Sequence, residues 1–184
     1  MRGTLRMTAA LLLGATLLSP PAQAAEHLEC ILATRSETLD TAVFEAYRKG
    51  GNVGQALMGP RMSEIQACVQ TNNWSGQAAE SAIRVLLGEI LTAGLGKEMT
   101  AKSLPAAALG AALKSFMDGV GADKARRAAN GDMDRETITR LVTKLLSDNV
   151  LTNAQMSNDN GVVIGEYMSA YANMSVYRQD FGTQ

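Results

Sequence analysis

Histidine is almost absent from this chain of 184 residues, whose only imidazole is that of His27. A Ser-His-acid triad would have to use this one side chain close to the amino terminus. A catalytic zinc site with two or three histidine ligands cannot be built from one chain. Neither G-x-S-x-G nor H-E-x-x-H occurs in the sequence. These absences exclude the common histidine-dependent hydrolases and predict that the protein is not an enzyme.

Aromatic residues and excess basic charge are also scarce. Aromatic side chains make up 4% of the chain, which is too few for the stacking platforms that hold bases. The chain has 17 Lys and Arg against 18 Asp and Glu, whereas nucleic acids and anionic lipids select strongly basic surfaces. We therefore expect no nucleic-acid partner.

The amino-terminal segment shows the three-part pattern of a secretory signal peptide. The segment has a basic start with Arg2 and Arg6, and residues 5–18 are mostly apolar with no charge after Arg6. The segment then ends in Ser-Pro-Pro-Ala-Gln-Ala, which places small residues at positions −3 and −1 of a cut. The pattern predicts that residues 1–24 are removed and that residues 25–184 form a single helical domain. The alternative is a cut after Ala25, which would place Gln23 at position −3 and fits the pattern less well.

This leader predicts a location in the bacterial periplasm, or secretion, by the general (Sec-type) export route. The apolar run is too short for a retained membrane anchor. The most apolar later stretch, residues 104–120, is interrupted by Lys114 and Asp118. We therefore expect no membrane insertion after cleavage.

The chain has two cysteines, Cys30 and Cys68, and both remain after the predicted cut. An even pair in an oxidising compartment predicts a disulfide, which would stabilise the fold by roughly 4 kcal/mol in the chain-entropy model. The alternative is a reactive thiol or a metal-binding pair. No C-x-x-C motif and no His or Lys pattern that would lower a thiol pKa supports it.

Apolar residues recur at helical spacing along the predicted mature chain, and no stretch alternates as a strand does. The pattern predicts an all-α fold, an irregular bundle of about six helices, with the disulfide joining the first two. Glycines and prolines set the expected boundaries. Arg35-Ser36 is a candidate interruption of the first helix, and Gly50-Gly51 is expected to end it. We expect Gly59-Pro60 to open the second helix, Gly94 and Gly96 to end the third, and residues 124–127 to form a basic turn.

The predicted cut gives His27 a second interpretation. Cleavage after Ala24 makes the mature chain begin Ala25-Glu26-His27, with histidine third. The α-amine, two deprotonated amide nitrogens and the imidazole can then form a square-planar set for Cu(II) or Ni(II). Over these three residues the chain resembles amino-terminal copper- and nickel-binding motifs. The alternative is that His27 is a solvated residue near the mature terminus and binds no metal. No other cofactor is expected.

Tyr167, Tyr171 and Met174 lie at near-helical spacing in the last predicted helix. They are candidates for the wall of a pocket that binds a small apolar ligand. The alternative interpretation is that this helix docks on the bundle with its phenol groups at the rim.

Three classes of function are compatible with these patterns. The favoured one is an exported helical binding protein of the bacterial envelope with a protein partner: a secretion or envelope accessory, a chaperone, or an inhibitor or immunity protein. The second is a carrier of a small apolar ligand or of Cu(II) or Ni(II). The third is a hydrolase or lyase of envelope polymers that uses Glu80 or Glu89 as its acid. The missing catalytic motifs favour the first class.

Export is expected to leave a chain that begins at Ala25. The full-length precursor would be expressed in a bacterium, and its exported product would be sequenced from the amino terminus. The expected reading is Ala-Glu-His, because small residues precede that cut. A product that retains residues 1–24, or that starts elsewhere, would contradict the predicted cleavage site.

Overall fold

The computed structural model describes residues 26–130, 132–156 and 158–184, and within these ranges the chain is helical with no strand. The predicted all-α class is therefore confirmed. The predicted leader lies outside the described residues. In chain order, the helices are α1 (Glu29–Leu32), α2 (Glu37–Arg48), α3 (Val53–Thr71), α4 (Gly76–Ala101), α5 (Ala106–Val120), α6 (Ala122–Ala129), α7 (Arg135–Ser147) and α8 (Asn158–Phe181).

The two longest helices, α4 and α8, make the most extensive contact in the fold. They run antiparallel, because Gly88 of α4 lies against Met174 and Gly96 lies against Tyr167. A Cβ placed on Gly88 would lie 2.6 Å from Cβ and 3.0 Å from Cα of Met174. Such separations are shorter than real Cβ atoms show, so the glycine permits this approach of the two helices.

The buried side chains form two main clusters on the α4–α8 pair. The amino-terminal half of α4 packs with α1, α2 and α3, and the carboxyl-terminal half packs with α5, α7 and the first half of α8. Leu86 and Ile90 belong to the first cluster, whereas Leu95 and Met99 belong to the second. The long helix α4 therefore joins the two clusters.

The described residues contain eight helices, rather than the predicted six or so. The predicted first helix is divided into α1 and α2, because the hydroxyl of Ser36 accepts a hydrogen bond from the Leu39 amide and caps a new helix. The segment predicted as a basic turn at residues 124–127 forms part of α6. The predicted disulfide between Cys30 and Cys68 is confirmed. It joins α1 to α3, because the division of the first helix places α2 between them.

Two predicted boundaries are wrong for reasons of packing. Helix α4 continues through Gly94 and Gly96, and the ring of Phe44 occupies the space that a Cβ on Gly94 would need. Helix α3 begins at Val53 and includes Pro60 in its interior. The side chain of Asn52 caps it by accepting a hydrogen bond from the Gln55 amide at 2.9 Å.

Helix α1 has only four residues and depends on tertiary contacts, since such a short helix is not stable alone. The Cys30–Cys68 disulfide, with a Cα–Cα distance of 5.8 Å, fixes it to α3. Next to it, Trp74 donates from Nε1 to the carbonyl oxygen of Glu26 at 2.9 Å. The indole also meets the ring of Phe181 edge to face, with centroids 5.0 Å apart. Trp74 therefore holds both ends of the described chain.

None of the helices in the described ranges has the length and apolar composition needed to cross a membrane.

Two glycines of α4 provide a matched test of the helix contact. Gly88→Ala is expected to lower the free energy of unfolding by about 1–3 kcal/mol through overpacking against Met174. Its melting temperature should then fall by roughly 3–10 °C. Gly96→Ala is the control, because a Cβ there would lie 3.7 Å from Tyr167, an ordinary contact. It should gain up to about 1 kcal/mol from helix propensity. Thermal unfolding followed by circular dichroism measures both variants. Equal melting temperatures would contradict the role of Gly88 in the close approach of α4 and α8.

Candidate functional site

A groove with a volume of about 210 Å³ runs along one side of the α4–α8 contact. Both helices contribute residues spaced three or four positions apart, so each presents one face to the groove. We call it the α4–α8 groove. Its lining consists of Arg84, Leu87, Gly88 and Leu91 from α4, Glu166, Ser169, Ala170 and Asn173 from α8, and Tyr47 from α2.

The centre of the groove is apolar. Leu87 and Leu91 are only half-buried, although they pack against the edges of the two core clusters. Gly88 and Ala170 add little bulk between them. The close helix approach at Gly88 thus leaves a shallow apolar trough with two leucines accessible from solvent.

One end of the groove is held by an ionic cluster around Arg48. Its Nε donates to Glu98 Oε1 at 2.8 Å, and its Nη1 donates to Glu166 Oε2 at 2.6 Å. A second bond from Nη2 makes the pairing with Glu98 bidentate. The guanidinium also lies 5.4 Å from the ring centroid of Tyr47. These contacts join α2, α4 and α8 at one point.

Tyr47 closes this end of the groove with a protonated hydroxyl. Partial burial, and then the nearby carboxylate of Glu166, raise the pKa of Tyr47 above its ordinary value. The phenol therefore remains a hydrogen-bond donor at neutral and mildly alkaline pH.

The other end of the groove is exposed and charged. Arg84 donates from Nε to Glu80 Oε1 at 2.9 Å, four residues earlier on α4. Its guanidinium also lies 4.7 Å from the ring centroid of Tyr177. The groove thus has an apolar centre between two polar, arginine-containing ends.

The residues predicted to form a ligand-binding wall lie at helix contacts. Tyr167 is buried and donates its hydroxyl to the carbonyl oxygen of Ala106 at 3.2 Å. Burial, and then proximity to Tyr171, raise the pKa of Tyr167. The two phenol rings stack with centroids 6.4 Å apart, while Met174 packs against Gly88. None of the three lines the α4–α8 groove.

Of the three residues in the predicted metal motif, Glu26 and His27 are described and Ala25 is not. The side chain of His27 is 59% exposed, and its Nδ1 lies 3.1 Å from Glu29 Oε1. The backbone of His27 is left-handed, with φ of 66°, which is uncommon for a residue other than glycine. The Glu26 carbonyl is held by Trp74, as described above.

The two acids considered for catalysis are both paired with arginines. Glu80 is 61% exposed and contacts Arg84. Glu89 accepts hydrogen bonds from Arg35 at 3.1 Å and from Arg178 at 2.6 Å, one on each carboxylate oxygen. Both oxygens of Glu89 are therefore used to connect α4 with α8 and with the segment between α1 and α2.

Sequence reasoning missed the groove residues and the cluster around Arg48. The contacts of Arg48 span 50 and 118 positions in the chain, so no local spacing reveals them. The signal present in the sequence is the apolar stripe of α4 that includes Leu87 and Leu91, together with small residues on α8. That signal becomes specific only once the two helices are paired.

Tyr167 and Tyr171 provide a test of their roles. Tyr167→Phe removes the hydrogen bond to Ala106 and is expected to lower the free energy of unfolding by about 1 kcal/mol. Tyr171→Phe is the matched control and should change it by less than about 0.5 kcal/mol. Denaturant unfolding measures the free energy of unfolding of both variants. Equal stabilities of the two variants would contradict a structural role for the Tyr167 hydroxyl.

No protein-family model, curated protein or solved structure matches this chain. The groove and the contacts around it are therefore the basis on which a function can be proposed.

Proposed function

We propose that this chain is an exported helical binding protein of the bacterial envelope, which engages a protein partner through the α4–α8 groove. The observation that carries the proposal is the half-buried pair Leu87 and Leu91 in a trough between two rigidly paired helices. If this chain is an accessory protein, the partner is a component of secretion or envelope machinery. If it is a chaperone, the partner is the protein that it holds, and if it is an inhibitor or immunity protein, the partner is its target.

The size of the groove favours a protein side chain over a small molecule. Typical small-molecule pockets have volumes of roughly 300–1,000 Å³ and enclose most of the ligand surface. The volume of about 210 Å³ between α4 and α8 is smaller than this range. It suits one or two apolar side chains projecting from a helix laid along the groove, a common mode of peptide recognition.

The distribution of polarity supports the same occupant. Protein interfaces combine an apolar centre with a polar rim, and arginine and tyrosine are enriched in them. Here the leucines lie between Tyr47 with Glu166 at one end and Arg84 at the other. Glu166 is already held by its ion pair with Arg48, so this end of the groove needs little side-chain ordering when a partner binds.

The proposed location is supported by two independent features. The leader pattern in residues 1–24 indicates export. The Cys30–Cys68 disulfide is compatible with a location outside the cytoplasm, since thiols in the cytoplasm are usually kept reduced.

Filling the groove should abolish partner binding without unfolding the protein. Ser169 is exposed and lines the groove, so Ser169→Arg introduces a long charged side chain over the leucines. Gln179→Arg adds the same side chain at another exposed position of α8 and is the control. Both variants would be used for affinity purification from the envelope fraction, with bound proteins identified by mass spectrometry. The same partner should be recovered with the wild type and Gln179→Arg, and should decrease at least tenfold with Ser169→Arg.

Equal recovery with both variants would contradict binding through the groove. Native mass spectrometry of the gently purified protein tests the competing carrier function. A small molecule bound in stoichiometric amount would favour a carrier of an apolar ligand over the proposed protein-binding role.

A further inference from the structure

We propose that a groove between α5 and α7 binds an acidic, amphipathic segment of a protein, whose carboxylates pair with Arg140 and Lys144. We call it the α5–α7 groove. It is separate from the α4–α8 groove, and no residue lines both. The inference does not rest on the proposed function, because it needs neither export nor a partner bound between α4 and α8.

The α5–α7 groove has a volume of about 430 Å³. Helix α7 supplies one wall with residues spaced three or four positions apart, whereas α5 supplies only Phe116. The side chain of Phe116 is 7% exposed, so its ring forms the floor of the groove. The residues of the wall are Thr139, Arg140, Thr143, Lys144 and Ser147.

The lining of the α5–α7 groove is positively charged. It contains Arg140 and Lys144 and no acidic residue. Two other grooves differ in this respect, because the α4–α8 groove balances Arg84 with Glu166, and a groove between α2 and α4 has three carboxylates against one lysine. Since the whole chain has slightly more acidic than basic residues, the positive charge is a local property of the α5–α7 groove. A cationic lining of this kind favours an anionic partner.

Both cations of the groove are available to a partner. Arg140 is exposed and takes part in no ion pair within the described residues, whereas Arg48 is held by two carboxylates. Lys144 Nζ lies 2.7 Å from Asp148 Oδ2, and these two side chains are 42% and 45% exposed. Such an exposed pair contributes little stability, so Lys144 can turn to the carboxylate of a partner at little cost.

The rest of the lining is suited to apolar groups. Most of its accessible surface is apolar, since Phe116 forms the floor and the long side chains of Arg140 and Lys144 have aliphatic stems. A simple inorganic anion would leave this surface uncovered. The occupant that fits therefore combines carboxylates with apolar side chains, which would cover the ring of Phe116.

The shape of the groove favours a protein segment over a small molecule. Small-molecule sites enclose most of the ligand surface, but this groove has a full wall only on α7 and stays open on the side of α5. Arg140 and Lys144 are four positions apart on one helix, so their Cβ atoms are about 5–6 Å apart. Two acidic residues four positions apart on a partner helix have the same spacing. A helix laid along α7 could therefore pair both of its carboxylates while its apolar face contacts Phe116.

The test uses the purified protein and a fluorescein-labelled synthetic peptide of about 15 residues, a length at which an alanine-rich chain is partly helical. The peptide carries leucines along one helical face and glutamates four positions apart beside them. Fluorescence anisotropy measures its dissociation constant, which should rise with added salt. Matched peptides with Gln for Glu, or with Ser for Leu, should each bind at least about tenfold more weakly, because each lacks one of the two required groups. Equal binding of all three peptides would overturn the proposed chemistry.

Arg140→Glu is the variant that locates the site. Arg135→Glu is its matched control, because Arg135 is also exposed on α7 and forms no ion pair within the described residues, but does not line the groove. Arg140→Glu should weaken binding of the acidic peptide at least about fivefold, and Arg135→Glu less than about twofold. Both variants reverse one charge, so equal losses would reveal an effect of net charge alone and overturn the site. Arg140→Gln and Arg135→Gln repeat the comparison if a reversed charge lowers the helicity measured by circular dichroism.

Ser169→Arg separates this site from the proposed function. It places a long side chain in the α4–α8 groove and should bind the acidic peptide as the wild type does. Loss of peptide binding in this variant would assign the peptide to the α4–α8 groove and overturn the α5–α7 site, while the proposed function stands. Conversely, recovery of the envelope partner with Ser169→Arg contradicts the proposed function and leaves the α5–α7 site standing.

Two other occupants of the groove would give different results. Vesicles of phosphatidylglycerol that bind the wild type but not Arg140→Glu, with no binding of the peptide, would assign the groove to a membrane surface. A dimer in sedimentation that Arg140→Glu dissociates would assign it to a second copy of the chain. We expect neither result, and either one would overturn the proposal.

Discussion

The contact between α4 and α8 at Gly88 is the constraint on which the rest of the structure depends. It brings two long antiparallel helices close enough for the Met174 backbone to lie where a side chain would otherwise project. One half of α4 can then serve the cluster with α1 to α3, and the other half serves the cluster with α5 and α7. The groove results from the same approach, because the flanking leucines remain half-exposed where the helix surfaces diverge.

Two ionic clusters, one centred on Arg48 and the other on Glu89, fix the orientation of the surrounding elements. Arg48 connects α2 to both long helices, and Glu89 connects α4 to α8 and to the segment that precedes α2. Isolated surface ion pairs contribute little stability, about 0–1 kcal/mol each. Their value here is geometric, since each network joins three elements through directional hydrogen bonds.

The sequence was sufficient to predict the fold class and the disulfide, because both depend on local periodicity and on a count of two cysteines. It failed at helix boundaries, where tertiary packing decided the outcome. Glycine and proline normally interrupt helices. At Gly94, however, the Phe44 ring fills the space beside the backbone, and α3 tolerates Pro60 at an exposed position. The groove could not be predicted, because its lining and the contacts of Arg48 come from helices far apart in the chain.

The order of the elements along the chain determines when the protein can fold. Helix α8 follows the other described helices along the chain, yet it is the main partner of α4, and Phe181 completes the contact that covers Trp74. The side chain of Gln184 also donates from Nε2 to the hydroxyl of Ser81 on α4 at 3.4 Å. Neither cluster is therefore complete until α8 is in place, since each needs part of that helix. Folding is therefore expected to be one cooperative event that waits for α8, rather than a stepwise addition of helices in chain order.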